Sequence, residues 1–256
     1  MKKLVTGLLS TAALFCTLNA DIARVEMGAG AWSQTPSGTI SYTDATTGFN
    51  GTYTSKKVDA TSTYVWALIK HPIPIIPNLR LEYTDIDDQG SAKGSFKDFT
   101  TGGLFKNASI SMKQYDIIPY YNLLDNTAWT TLDLGLDIKV VDASYKAQAV
   151  NIFGVGLGNY EDSETIAIPL VYVRVRVEIP ATNIGLESDV KYITYDGSTI
   201  YDVRAKVDYT LDMIPVLHPG LELGYRMQKF DLTSDDDKTK MNMEFKGFYA
   251  GLMLRF

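Results

Sequence analysis

The chain has 256 residues, with 24 Lys and Arg against 30 Asp and Glu, and a formal net charge of −6 with both His neutral. That balance disfavours nucleic-acid binding, which needs clustered positive charge to displace counterions from phosphates. The single cysteine, Cys16, falls within an expected leader, so no disulfide, thiolate or Cys-metal chemistry is expected of the remainder.

In chain order, Met1-Lys2-Lys3, the apolar stretch Leu4 to Leu18 and Asn19-Ala20 before Asp21 have the charged, apolar and small-residue parts of a secretory signal, with cleavage expected after Ala20. Phe15 stands where a lipoprotein signal wants a small residue before its Cys. Residues 21–256 are expected to form one domain with 22 basic and 30 acidic residues. No later apolar run nears the ~20 residues a helix needs to cross a bilayer, so the chain is expected to pass the inner membrane.

The repeated pattern thereafter has period two. Leu132, Leu134, Leu136, Ile138 and Val140 alternate with Asp133, Gly135, Asp137 and Lys139, and Val171 to Ile179 alternates in the same way with Tyr172, Arg174, Arg176 and Glu178. Such alternation places one face in apolar and the other in polar surroundings. Ten segments are predicted as strands, near 22–34, 59–70, 79–88, 109–121, 129–143, 166–179, 184–195, 199–211, 220–231 and 244–256. An even number suits a closed antiparallel barrel with both termini at the periplasmic end, and eight strands is the alternative count. Connections near 71–78, 124–126, 180–183 and 212–220 read as short turns. Those near 35–58, 89–108, 144–165 and 232–243 read as long polar loops on the other side, with a tight Asp196-Gly-Ser198 turn as the exception.

Two readings of the apolar face compete: outward to lipid in a membrane barrel, or inward around a ligand in a soluble periplasmic one. The aromatics favour lipid. Tyr201 and Tyr209 flank Val203, Ala205 and Val207, and Phe248 and Phe256 flank Ala250, Leu252 and Leu254. Eight residues of tilted strand cover ~20 Å, close to the ~25 Å between aromatic girdles. The last strand, with Phe248, Leu252, Leu254 and the terminal Phe256, looks like the signal read by the barrel-assembly machinery.

The Lys-Lys signal, the stretch from Asp21 to Trp32, the Leu132-Asp-Leu-Gly-Leu-Asp137 strand and the closing Phe248 to Phe256 together resemble the small outer-membrane β-barrel family of Gram-negative bacteria. The resemblance implies an integral outer-membrane protein in contact with lipid and lipopolysaccharide, probed by the assembly machinery during biogenesis and monomeric. Such families share a fold much more than an activity, so it offers no site residues.

The inward faces are expected to carry Glu26, Arg80, Glu82, Asp133, Asp137, Lys139, Arg174, Arg176, Glu178, Glu187, Asp189, Lys191, Asp202, Arg204, Lys206, Asp208, Glu222, Arg226 and Arg255. Near-balance of sign points to a charge-paired lumen, because a selective pore uses rings of one sign. Gly28, Gly30, Gly135, Gly224 and Gly251 share that face, where they leave space or relieve crowding.

An enzyme at the outer face would need a neutral-pH base, and the two His residues, His71 and His218, sit beside Pro72 and Pro219 in predicted turns on the opposite side. No catalytic, cofactor-binding or metal residues are expected. The clusters Asp85-Ile-Asp87-Asp88 and Asp235-Asp236-Asp237 lack EF-hand spacing and read as solvated loops. Gly154-Val-Gly-Leu-Gly158 has no following helix to bind phosphate. The leading expectation is a non-enzymatic barrel with a structural or surface-interaction role, and the alternative is a narrow porin-like channel for small solutes.

Overall fold

The computed structural model describes residues 23–44, 46, 48–94, 104–150, 156–211, 216–234 and 238–256. The expected secretory signal, the three aspartates at 235–237 and residues 154 and 155 of the Gly-rich run lie outside them. The described residues form β1 (Arg24–Asp44), β2 (Phe49–Ser55), β3 (Ala60–Lys70), β4 (Asn78–Gly94), β5 (Leu104–Thr127), β6 (Thr130–Val150), β7 (Gly156–Glu178), β8 (Ile184–Tyr195), β9 (Ser198–Thr210), β10 (His218–Thr233) and β11 (Thr239–Arg255). Neighbours pair antiparallel throughout, and β11 returns to β1 to close the sheet.

Eleven strands make ten staves. Both β2 and β3 lie between β1 and β4, with β3 against the half of β1 that begins at Arg24 and β2 against the half that ends at Asp44. They are one stave broken at residues 56–59, where Lys57 takes a left-handed φ of 57°. The eight-strand alternative is thereby excluded.

The stagger of the barrel follows from the register. From Val171 one circuit runs through Tyr192, Tyr201 and Lys229 to Glu244. The other runs through Leu136, Pro119, Leu79, Ile69 and Val25 to Phe256, a displacement of 12 residues on the same strand. Such a stagger requires tilted strands, and closure leaves no open edge within the band they share.

Apart from the register shifts at the two ends of β5, each strand keeps one parity inside, yet the composition of the two faces reverses partway. On β6 the outward residues are Leu132, Leu134, Leu136, Ile138 and Val140, followed by Asp142, Ser144 and Lys146. The inward ones run Asp133, Asp137 and Lys139, then Val141, Ala143, Tyr145 and Ala147. On β11 the outward row changes from Phe248, Ala250, Leu252 and Leu254 to Lys246, Glu244 and Asn242, while Phe245 and Met243 turn inward. The half holding the termini (the terminal end) is therefore apolar outside and charged inside. The other half (the loop end) is polar outside with a buried apolar core of Ile86, Met112, Ile200, Phe230 and Phe245 among others.

The boundary is marked by aromatics on the outer surface. Tyr83 faces Tyr115 with ring centroids 5.1 Å apart, Tyr192 pairs with Tyr201, and Tyr225 packs edge-on against Phe248 at 5.1 Å. Below this ring the exposed Leu81, Ile117, Leu134, Leu136, Val171, Val175, Leu186, Val207, Leu223 and Leu252 form a continuous apolar belt. Ser188, the one polar residue between Leu186 and Val190 on that face of β8, donates its hydroxyl to the Arg204 carbonyl at 3.0 Å. An unsatisfied hydroxyl facing lipid would cost several kcal/mol, roughly. The belt excludes the soluble barrel whose apolar face points only inward.

Three sequence expectations differ from the structure. Most of the four long polar loops is strand: β1, β2, β4, β5, β6, β7, β10 and β11 extend through 35–44, 49–55, 89–94, 104–108, 144–150, 156–165, 232–233 and 239–243. Their Ser- and Thr-rich outer faces meet water, so no apolar outer row announces them. The turn placed at 124–126 lies instead at Ala128 and Trp129, whose φ values are 50° and 62°, because a register shift on β5 carries the strand on to Thr127. His218 likewise belongs to β10, not to a turn.

The reversal predicts position-dependent tolerance along one strand. Leu134→Arg, mid-belt, should cost about 2–4 kcal/mol in urea unfolding from vesicles, whereas Ser144→Arg, ten residues on along the same outward row, should stay within about 0.5 kcal/mol.

Candidate functional site in the barrel interior

The inward face of the terminal half gathers charged side chains from nearly every stave. Glu187 on β8 is the hub nearer the terminal end. It lies 2.8 Å from Arg174 and 3.4 Å from each of Arg80, Arg176 and Lys206. Arg174 also reaches Asp133 at 2.5 Å. Arg176 holds both oxygens of Asp208, at 2.6 and 3.0 Å, and Arg255 adds a contact to Asp208 at 3.1 Å. Glu26 pairs with Arg24 and, at 3.5 Å, with Arg255.

Glu82 on β4 is the second hub, next to the aromatic ring. It accepts from Arg80 at 2.5 Å, Arg204 at 2.5 Å and Lys191 at 2.6 Å. Arg204 continues to Asp189 at 2.9 Å. Arg226 grips Asp202 at 2.6 and 2.9 Å and donates to Thr84 at 2.9 Å. Lys139 lies 2.5 Å from Asp116 and 3.6 Å from Asp202. Lys191 also bonds Asp116 at 2.9 Å. Asp137 is the exception: neither of its buried oxygens accepts a hydrogen bond, and Lys191 stands 3.8 Å away.

All nineteen charged positions named from the sequence have the inward parity. Seventeen are buried, Arg255 is partly so, and Glu178 stands at the terminal rim with 39 % of its side chain exposed, 3.3 Å from Arg176 and 3.6 Å from Arg24. Asp116 was missed. Its strand reads Tyr115-Asp-Ile-Ile-Pro-Tyr120 with Ile118 and Tyr120 also inward, so alternation does not announce its inner face.

The aromatic component of the interior was also missed. The Trp66 ring lies between Arg80, 5.1 Å from its centroid, and Lys206, 4.6 Å away, and Arg226 covers Trp32 at 4.8 Å. Trp66 Nε1 and the Tyr64 hydroxyl both donate to Glu222 Oε1, at 3.0 and 2.7 Å. The inward glycines were the available signal. A Cβ on Gly28 would run into the Trp66 ring, one on Gly251 into the Tyr64 hydroxyl, and one on Gly224 into the Tyr249 ring. Between these groups remains a void of about 10 Å³, lined by Trp32, Tyr64, Trp66, Arg204, Glu222 and Tyr249 among others. That is room for about one water.

Beyond the aromatic ring the interior changes chemistry. Asp88, above the belt, accepts from Tyr53 at 2.8 Å and Ser55 at 2.9 Å. Burial pushes its carboxyl above the ordinary aspartate range despite these donors. An open cleft of about 650 Å³ at the loop end is lined by Lys56, Gln89, Asn107, Lys146, Asn159 and Glu161, with Ser109 and two alanines.

Of the other positions named from the sequence, Tyr201 stands in the outer aromatic ring and Tyr209 on the outer surface toward the terminal end, one register step from Leu221 and Ile184. Phe248, Leu252 and Leu254 share the outer face of β11, and the Phe256 N–H donates to the Val25 carbonyl at 2.9 Å. Both His residues stand at the terminal end, His71 between β3 and β4 and His218 opposite Arg255. Asp85 and Asp87 lie on the outer face of β4, and Asp88 on the inner.

No family model matches the chain, and no match to it is found among curated proteins. Among solved structures, it is similar to the outer-membrane protease OmpT of Escherichia coli, with 11 % identity, a TM-score of 0.53, and coverage of 91 % of this chain and 96 % of that one. The translocator domain of the autotransporter NalP of Neisseria meningitidis matches at 11 % identity and a TM-score of 0.42, covering 100 % of this chain and 96 % of that one. Ail of Yersinia pestis matches at 9 % identity and a TM-score of 0.34, covering 92 % and 99 %. At these identities the first likeness concerns the fold alone, and the other two carry no further weight.

The hubs make a graded mutational prediction. Arg204→Leu strands the buried Asp189, whose carboxylate it grips through Nε and Nη2, and takes one of three cations from Glu82, and should cost about 3–5 kcal/mol in reversible unfolding. Asp137→Asn removes a carboxylate that accepts no hydrogen bond, and should change stability by less than about 1 kcal/mol. A larger loss in the second variant would mean that Asp137 holds Lys191 in place. With its closed antiparallel wall, apolar belt and aromatic boundary, the chain has the fold of an integral bacterial outer-membrane β-barrel.

Proposed function

We propose that this chain is a closed, non-conducting and non-enzymatic barrel of the outer membrane that acts through the surface it raises beyond the aromatic ring. In this reading the secretory signal is removed after Ala20, the terminal end faces the periplasm, and the loop end faces outside. Lipopolysaccharide and outer-leaflet lipid surround the belt, and the assembly machinery engages β11 during biogenesis.

The observation that carries the reading is the interior. Its charges are paired across the lumen, its largest aromatics fill the space that the glycines leave, and the void among them has room for about one water. A second barrier lies above it in the apolar core around Ile86, Met112, Phe230 and Phe245. An ion would have to displace paired charges and then cross an apolar constriction, which favours closure over conduction. The polar cleft at the loop end supplies an exposed surface for contact.

Conductance tests this directly. Protein that is inserted in a planar bilayer and shows heat-modifiable migration in SDS should give no current steps, and neither should the Asp137→Ala variant. Reproducible steps from the unmodified chain, altered by Arg174→Ala, would establish the narrow channel instead.

A further inference from the structure

The seven-residue connection between β3 and β4, residues 71–77, is His-Pro-Ile-Pro-Ile-Ile-Pro. It has no charged side chain, yet Ile73, Ile75 and Ile76 are 51 %, 86 % and 52 % exposed. Three exposed isoleucines in a water-facing turn would forfeit most of the ~1.5–3 kcal/mol that burying each one is worth.

The backbone of this turn is unusually short of free polar groups. Pro72, Pro74 and Pro77 have no N–H to satisfy. Of the four N–H groups that remain, those of His71, Ile73 and Ile76 are bound within the turn or its edge, to Asn78 Oδ1 at 3.1 Å, His71 Nδ1 at 3.1 Å and the Ile73 carbonyl at 3.3 Å, and that of Ile75 is the fourth. His71 Nε2 meets the Pro77 carbonyl at 3.1 Å. Those two ring contacts are satisfied together only by a neutral imidazole protonated at Nε2. Three prolines and three bound donors leave little of the backbone to be satisfied where water is absent.

The location agrees. Tyr121 is an outward, 47 % exposed residue of β5, and its hydroxyl donates to the Ile75 carbonyl at 2.9 Å. Its register partner is Leu134, itself in the apolar belt. Past Tyr121 toward the terminal end, β5 still presents Leu123 at 58 % exposure, and β6 and β7 still present Leu132, Val175 and Val177 on the outer face. The turn therefore leans against the belt at a depth where its neighbours are still apolar, and its isoleucines continue that belt.

We propose that the 71–77 turn is a lipid-contacting element, with Ile73, Ile75 and Ile76 seated among acyl chains of the leaflet at the terminal end. The proposal rests on the membrane reading above. It assigns His71 a positioning role: its neutral ring ties Ile73 to Pro77 and so fixes the direction in which the isoleucines point.

Single cysteines in the full chain carrying Cys16→Ser test it. Ile75→Cys, with Leu136→Cys as mid-belt and Val58→Cys as loop-end references, would each carry an environment-sensitive fluorophore in phosphatidylcholine vesicles. Nitroxides on the acyl chains and aqueous iodide serve as the two quenchers. The label at 75 should follow the one at 136, with acyl-chain quenching at least threefold stronger than at position 58. Quenching of the 75 label by iodide to the extent seen at position 58 would overturn the proposal while leaving the membrane reading intact. A label at 75 shielded from both quenchers would also overturn it, because a protein surface would then cover the turn. Failure of acyl-chain quenching at 136 would overturn the membrane reading, and this proposal with it.

Discussion

The structure depends on one constraint: a backbone crossing hydrocarbon must satisfy its own N–H and C=O groups. Ten antiparallel staves closed by the β11–β1 pairing do so without an edge. Closure fixes which parity of each strand faces inward, and the chain then writes two different proteins on the same staves. In the terminal half the outward parity is Leu, Val, Ile and Tyr and the inward parity is charged. Beyond the aromatic ring the assignment inverts, and the same staves enclose an apolar core as a soluble barrel would.

Charges set inside the belt half must then be paired. Moving an ion out of water costs several kcal/mol even after relaxation, roughly what a well-made buried pair returns. The network thus gives little net stability, but it penalises any register that separates Glu82 from Arg80, Arg204 and Lys191, or Glu187 from its four cations. Specification of register is the effect that its geometry favours. Trp66, held between Arg80 and Lys206 and against Gly28, couples the aromatic packing to the same network.

What could be read from the sequence follows from where contrast exists between the two faces. The β6, β7 and β9 rows below the ring alternate between apolar and charged residues, so their position, parity and charged inner face were legible. Contrast vanishes in two places. Beyond the ring, outer faces such as Thr35, Ser37, Thr39 and Ser41 on β1 are small and polar, opposite inward residues as mixed as Pro36, Gly38 and Ile40, and from 35 onward they read as loop. On β5, Ile117 and Ile118 make both faces apolar and hide Asp116. The interior aromatics escaped because Tyr64, Trp66 and Tyr249 are equally at home in a girdle. Their burial and the glycines opposite them assign them to the lumen.

The inversion of the two faces is most directly tested by a spin-label scan of the outward row of β6, from Leu132 through Val140 to Lys146, comparing collisions with oxygen and with a water-soluble nickel chelate in vesicles. Collisions should be oxygen-dominated at 132, 134, 136, 138 and 140 and switch to nickel-dominated at 142, 144 and 146. A uniform profile along all eight positions, or a switch displaced by two or more outward positions from Val140, would contradict it.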